Sequence, residues 1–386
     1  MNGCKCDKIN TFTYCFNRRI SKKEAVRGRR IKSKNRKNMR YFKFYKKQDI
    51  LSITRTRRFE TKLGERLQFI DDTANLEKSI AASKAKFVIL GIPEDIGVRA
   101  NYGTGGTGSA WMPFLSAFVN IQSNDFLEGG DILMLGRFDF TEIESLIESN
   151  AHDYEEKVLA YRHAVSQVDE AVEPLIKLLT QNNKIPIVIG GGHNNAYPLI
   201  KGAAKGLYKA GKIPLASINC INLDAHADFR PLEGRHSGNA FSYAEEDGYL
   251  QKYCVIGIHE NYLTQNIWMD VVNNPFVDFI TYEDIFIHEK KNFLQAIAHA
   301  TSFTDDTYAG IELDLDCIQN TLSSAATPSG IETLHARQFI SYASGDSKTA
   351  YLHICEGAAV LSDGQSSETV GKLISYLVSD FLKAKE

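Results

Sequence analysis

The sequence predicts an α/β fold on a mostly parallel sheet of about eight strands. Three observations predict it. Short apolar runs bounded by glycine or polar residues recur along the chain. Stretches of helical period separate them, which suits parallel strands covered on both faces. Acidic and histidine side chains follow several of the runs directly, where open α/β sheets bind ligands.

Residues 1–38 stand apart. Lysine and arginine crowd this segment and apolar periodicity is absent, so it reads as a disordered basic extension. A nucleic-acid or membrane-surface tail and an organellar presequence are readings of such a segment. Met39 opens the patterned sequence and is the expected start of translation; residues 39–386 are the expected single catalytic domain. Cys4, Cys6 and Cys15 lack a fourth ligand at zinc-finger spacing.

The strands follow in order. Lys86–Gly91 is a buried strand that enters a glycine-rich loop from Ile92 to Gly108, holding Asp95, Arg99 and Asn101. Asp131–Gly136 is the second. Tyr154–Gln181 is a long amphipathic helix whose apolar face carries Val158, Leu159, Tyr161, Val165, Val168, Val172, Leu175, Ile176 and Leu179. Ile185–Ile189 is a strand closed by Gly190-Gly191-Gly192-His193, with a helix over Asn194–Lys205. Ser217–Leu223, Tyr253–Ile258, Val277–Thr281, Tyr308–Leu313 and Ala350–Cys355 are further strands. Asn292–Thr301, His335–Tyr342 and Val370–Lys383 are helices.

The stretch Leu223-Asp224-Ala225-His226-Ala227-Asp228 holds metal-competent side chains at i, i+2 and i+4. Alternate strand residues point one way, so Asp224 and His226 leave the strand end together. Asp314 and Asp316 repeat the spacing after another apolar run. Adjacent acids at a buried strand end are costly without a cation. With His193 these stretches supply His193, Asp224, His226, Asp228, Asp314 and Asp316, more than one zinc ion needs. The set suits two divalent ions bridged by carboxylates, and the absence of thiolate ligands favours manganese.

These residues resemble the ureohydrolase superfamily of arginases, agmatinases and formimidoylglutamases. Gly191-Gly192-His193, Asp224-Ala225-His226-Ala227-Asp228 and Asp314-Leu315-Asp316 are similar to its three signatures. Gly91–Val98 and Ser237-Gly238-Asn239 extend the likeness. The resemblance implies an arginase-like three-layer α/β/α sandwich. It also implies two Mn²⁺ ions as cofactor. His193, Asp224, Asp228 and Asp314 would hold one, and Asp224, His226, Asp314 and Asp316 the other. An activated water would attack an amidine or guanidine carbon, Asp228 would move its proton, and Glu356 would pair with the cationic amidine.

The residues beyond the central motif set the substrate. Arg230 stands where arginases place asparagine, and a guanidinium grips a carboxylate with two hydrogen bonds. Arg230 would repel an ammonium tail, which disfavours agmatine; a salt bridge to Glu233 is its plainer role. Ser237 matches a family serine at the same end. Phe241 replaces the proton-shuttling histidine of arginases. This pattern is more similar to formimidoylglutamases, whose substrate is N-formimino-L-glutamate and whose products are glutamate and formamide, in histidine degradation. The alternatives are an arginase, a hydrolase of guanidino acids or agmatine, and a silent metal-binding member. Two departures bear on specificity. The Tyr102–Gly106 loop lacks the family's arginine, and Glu312 stands where serine or asparagine commonly precedes the third signature.

Composition supports a soluble cytoplasmic enzyme. The 386 residues are 43% hydrophobic with a formal charge of -2, enough for a large core and without bias toward nucleic acid. No apolar run approaches the roughly 20 residues of a membrane helix. Scattered cysteines, with Cys220, Cys254 and Cys355 inside apolar runs, read as core residues of a reducing compartment. The expected partner is a small amidine substrate, in a homo-oligomer, with no nucleic acid and no membrane.

Overall fold

Nine strands form one sheet in the order β1-β3-β2-β4-β9-β8-β5-β6-β7. They are β1 Phe42–Phe44, β2 Phe87–Gly91, β3 Ile132–Phe138, β4 Ile185–Ile189, β5 Ile218–Leu223, β6 Leu250–Ile258, β7 Val277–Thr281, β8 Ala309–Asp314 and β9 Thr349–Cys355. The computed structural model describes residues 39–345 and 348–385. It divides into Met1–Tyr41 and Phe42–Glu386, and the fold below is that of the second unit. The expectations for residues 1–38 fall outside the described residues.

Every pairing is parallel except β1 on β3, where Phe42 faces Phe138 in an antiparallel edge. The expected strands are present, and β1 is one more than anticipated. A three-residue strand is too short to carry a period, so its pattern gives no warning. The sheet carries helices on both sides, as a three-layer α/β/α sandwich requires.

One face of the sheet is uniformly apolar. Ile89, Met134, Ile187, Ile221, Ile256, Ile311 and Leu352 share a core with Trp111, Phe114, Phe339, Ile374 and Phe381 from covering helices. On the helix Tyr154–Gln181 the expected apolar face is buried, except Leu159, which is exposed. The loop expected over 92–108 contains a short helix, Ile96–Ala100. Buried Glu94 accepts hydrogen bonds from the backbone N–H of Ile96 and Gly97 and so meets that helix's unpaired donors. Cys220, Cys254, Cys317 and Cys355 are free and buried. No helix among the described residues is long and apolar enough to cross a membrane.

Ile311 sits fully buried at the centre of β8. Replacing it with alanine deletes packed methyl groups and leaves a cavity. Ile311→Ala is expected to cost about 2–5 kcal/mol in urea unfolding. A loss well under 1 kcal/mol would contradict the core assigned here.

Candidate metal centre

Four neighbouring strands, β4, β9, β8 and β5, deliver the chemistry from their carboxyl ends. After β4 the backbone turns through Gly190 and Gly191, both at positive φ. A Cβ on Gly191 would lie 2.6 Å from the Ile92 carbonyl oxygen, so only glycine fits this turn. His193 follows, fully buried, in a short 3₁₀ turn that leads into the helix Ala196–Lys209. Asp224, His226 and Asp228 follow β5. Asp314 ends β8, and Asp316 lies in the next 3₁₀ turn rather than on the strand itself. Glu356 follows β9. Asp228 and Glu356 take positive φ of 46° and 59°, a strain that side chains accept where the surroundings fix them.

These residues converge. His193 Nδ1 lies 3.2 Å from Asp224 Oδ2, 2.9 Å from Asp228 Oδ2 and 3.2 Å from Asp314 Oδ2. His226 Nδ1 lies 3.0 Å from Asp316 Oδ2 and 3.6 Å from Asp224 Oδ1. Beside a group of His193, His353 and Cys355, two acid-bearing groups offer ligand atoms within 4.8 Å of one another: His193, Asp224, Asp228 and Asp314, and Asp224, His226 and Asp316. Asp224 belongs to both; Asp314 belongs to the first only.

The donor set fits divalent cations. His193 Nδ1 has no hydrogen-bond partner among the described residues although three carboxylate oxygens surround it. A buried nitrogen left unpaired among anionic oxygens is a coordination geometry rather than a hydrogen-bonding one. Asp224 is held by the backbone N–H of His226 at 2.7 Å and by Asn222 Nδ2 at 2.9 Å. Asp314 accepts from the Asp316 N–H at 2.8 Å. Both carboxylates keep lone pairs for a cation.

The electrostatics agree. Burial and neighbouring acids raise the carboxyls of Asp228 and Asp314, and push Asp316 to about 6. Burial and Asp314 push Glu356 to about 8. His193 and His226 are raised against the effect of burial, by the surrounding acids and, for His193, by Cys355. Against its burial, the His193 and His226 rings hold Asp224 below its ordinary range.

The remaining predicted residues keep partners of their own. Glu356 accepts from the His193 N–H at 2.7 Å and from Ser324 Oγ. Ser237 is buried and takes a hydrogen bond from Asn101 Nδ2 at 3.3 Å. Arg230 is half exposed and pairs with Glu233 at 3.2 Å, its plainer role. Phe241 meets the His193 ring edge-on at 5.2 Å and stacks on Tyr253 at 4.2 Å.

The sequence leaves the partners of several further residues unassigned. Glu94 Oε1 accepts from Gly192 N at 3.2 Å and Asn195 Nδ2 at 2.6 Å, tying the first loop to the His193 turn. Burial raises Glu94 to about 7. Tyr262 stacks on His226 at 4.8 Å. Glu312, Tyr351 and His353 form a buried polar cluster beneath His193. The Pro93-Glu94 turn and the lone acid inside β8 were visible, but nothing local named their partners.

Comparisons with known proteins give a family-model match and solved structures of similar fold. The model of the arginase family matches residues 85–379. A formimidoylglutamase of Streptococcus pyogenes serotype M6 is 29% identical over 177 residues, 44% of this chain and 51% of that protein. The chain thus matches about half the length of its curated relatives. The crystal structure of formimidoylglutamase from Bacillus subtilis is similar with a TM-score of 0.63 at 17% identity, over 86% of this chain and 94% of that one. Trypanosoma cruzi formiminoglutamase with Mn²⁺ gives 0.62 at 18% identity, over 84% and 98%. At such identities these structures speak for the fold.

Stability of the chelated protein follows from the shifts. Raised acids hold protons that the unfolded chain has already lost, so stability falls as pH rises from about 4 through about 6 for Asp316 and about 8 for Glu356. The raised histidines act in the same direction above about 6.5, and Asp224 is fully ionised in both states there. The melting temperature in EDTA is expected to drop by several degrees from pH 5 to pH 8. Mn²⁺ is expected to restore it more at pH 8. A melting temperature that rises over this range would contradict the site's charge balance.

Proposed function

The chain belongs to the arginase family, and from that premise we propose that it hydrolyses a linear amidine at a pair of divalent cations. N-formimino-L-glutamate is the preferred substrate, with glutamate and formamide as products. The observation that carries this reading is the ring of Asp224, Asp228 and Asp314 oxygens about the unpaired His193 Nδ1. His193, Asp224, Asp228 and Asp314 would hold one Mn²⁺; Asp224, His226 and Asp316, with Asp314 shared, would hold the second. Such a cation pair lowers the pKa of water toward neutrality.

The chain's own residues do the rest. Asp228, at positive φ with its carboxylate beside His193, would take a proton from the attacking water and pass it to the leaving amine. Glu356, held from two sides by the His193 N–H and Ser324, pairs with the cationic amidine, whose charge offsets the carboxylate's burial. Arg230 and Ser237 hold the substrate's carboxylate end. Glu233 is the competing partner of Arg230, and an exposed pair of this kind contributes only about 0–1 kcal/mol, so a substrate carboxylate can displace it. Phe241 argues against arginase chemistry, since its ring cannot carry a proton. A cytoplasmic homo-oligomer acting in histidine degradation, free of nucleic acid and membrane, completes the reading.

A Mn²⁺-loaded panel of formiminoglutamate, arginine, agmatine and guanidinobutyrate tests it. Only formiminoglutamate is expected to turn over well. Arg230→Ala is expected to raise KM about 10–100-fold with kcat little changed, the loss of a charged hydrogen-bonded contact. Asp228→Ala should lower kcat by about 10²–10⁴-fold. Agmatine turned over as well as formiminoglutamate would overturn the substrate; full activity in Asp228→Ala would overturn the site.

A further inference from the structure

Beneath His193 the sheet carries a polar cluster that the chemistry above does not use. Glu312, two residues before Asp314 on β8, is fully buried and points away from the apolar face that holds Ile311 and Leu313. Its Oε1 accepts from Tyr351 Oη at 2.7 Å, and its Oε2 lies 2.6 Å from His353 Nδ1. The same Oε2 stands 3.5 Å from His193 Nε2. Gly310 makes this possible: a Cβ there would run into the Tyr351 ring, which crosses β8 to reach the carboxylate. His193 Nε2 has no hydrogen-bond partner among the described residues.

We propose that Glu312 is a positioning residue for the cation centre, the acceptor for the His193 Nε2 hydrogen that leaves Nδ1 free to bind the ion. The inference rests on the two-cation reading above. Its logic is tautomeric. A neutral imidazole that ligates through Nδ1 must carry its proton on Nε2, and a buried N–H needs an acceptor. Glu312 Oε2 is the carboxylate oxygen within reach. A buried carboxylate needs donors in turn, and Tyr351 and His353 supply two of them from β9. The His193 Nε2 to Glu312 Oε2 distance of 3.5 Å is only slightly beyond a normal hydrogen bond, so a small turn of the ring would close it.

The test is a calorimetric titration of the metal-stripped full chain with MnCl₂, followed by electron paramagnetic resonance of the loaded protein. The wild type is expected to bind two Mn²⁺ and to give the spectrum of a spin-coupled pair. Glu312→Gln is expected to weaken one of the two sites about 10–100-fold, leave the other unchanged, and shift the spectrum toward isolated Mn²⁺ at matched loading. Tyr351→Phe, which keeps the carboxylate but frees one oxygen, should weaken the same site by less. Wild-type affinity at both sites in either folded variant would overturn the inference. So would equal weakening of both sites with a lowered melting temperature, the mark of a general packing loss. A wild-type chain that binds fewer than two Mn²⁺ would instead remove the cation centre, and this inference with it.

Discussion

Like charges held close together and away from water govern this structure. Asp224, Asp314 and Asp316 are almost wholly buried, with Asp228 and Glu356 beside them, at the ends of neighbouring strands. Two carboxylates about 4 Å apart repel by roughly 4 kcal/mol at the effective dielectric of a protein interior near its surface. Several such pairs exceed what hydrogen bonds from Asn222 and a few backbone N–H groups can offset. The arrangement is stable only around positive charge. In the bare protein imidazolium rings supply it while protonation of acids removes part of the negative charge, and divalent cations are the ligands that fit the same place.

The sheet topology follows from that demand. β8 and β9 come late in the chain yet insert between β4 and β5, so the glycine turn after β4 and the acids after β5 and β8 open onto one rim. Parallel strands must return by crossovers, which places all their carboxyl ends on the same side. Glu94 then extends the rim to β2 by taking donors from both its own loop and the His193 turn. The strain at Asp228 and Glu356 is tolerated because each side chain has a fixed place among these partners.

Much of this was legible because strand ends announce themselves. An apolar run that stops at Asp, His or Glu marks both the strand and the side chain at its carboxyl end, and the assigned ligands did meet. What stayed hidden depends on distant partners. Glu312 interrupts an apolar run in the same way that a solvated acid would, and only Tyr351 and His353, far along the chain, show it to be buried and paired. Leu159 fits its helix's apolar period but finds no covering element. β1 and the helix Ile96–Ala100 are too short for any period to register; pairing with β3 holds the first, and the nearby Glu94 carboxylate caps the second.

The two ends of the proposed site differ in rigidity, and the difference has a physical origin. At the reacting end Phe241 and Tyr253 stack beside His193, and Phe241 closes off the place where an imidazole could relay a proton. On the proposed function proton movement is left to carboxylates, and Asp228 and Glu356 are among the acids whose affinities for protons burial has raised. At the recognition end Arg230 is half exposed, with a long flexible stem and a single partner on the same loop. On the proposed function a guanidinium so placed can exchange Glu233 for a substrate carboxylate without unfolding anything, while buried Ser237 accepts from half-buried Asn101. On the proposed function, specificity resides in a movable cation and chemistry in fixed anions, an order that suits a substrate whose carboxylates are attracted from solution before its amidine is immobilised.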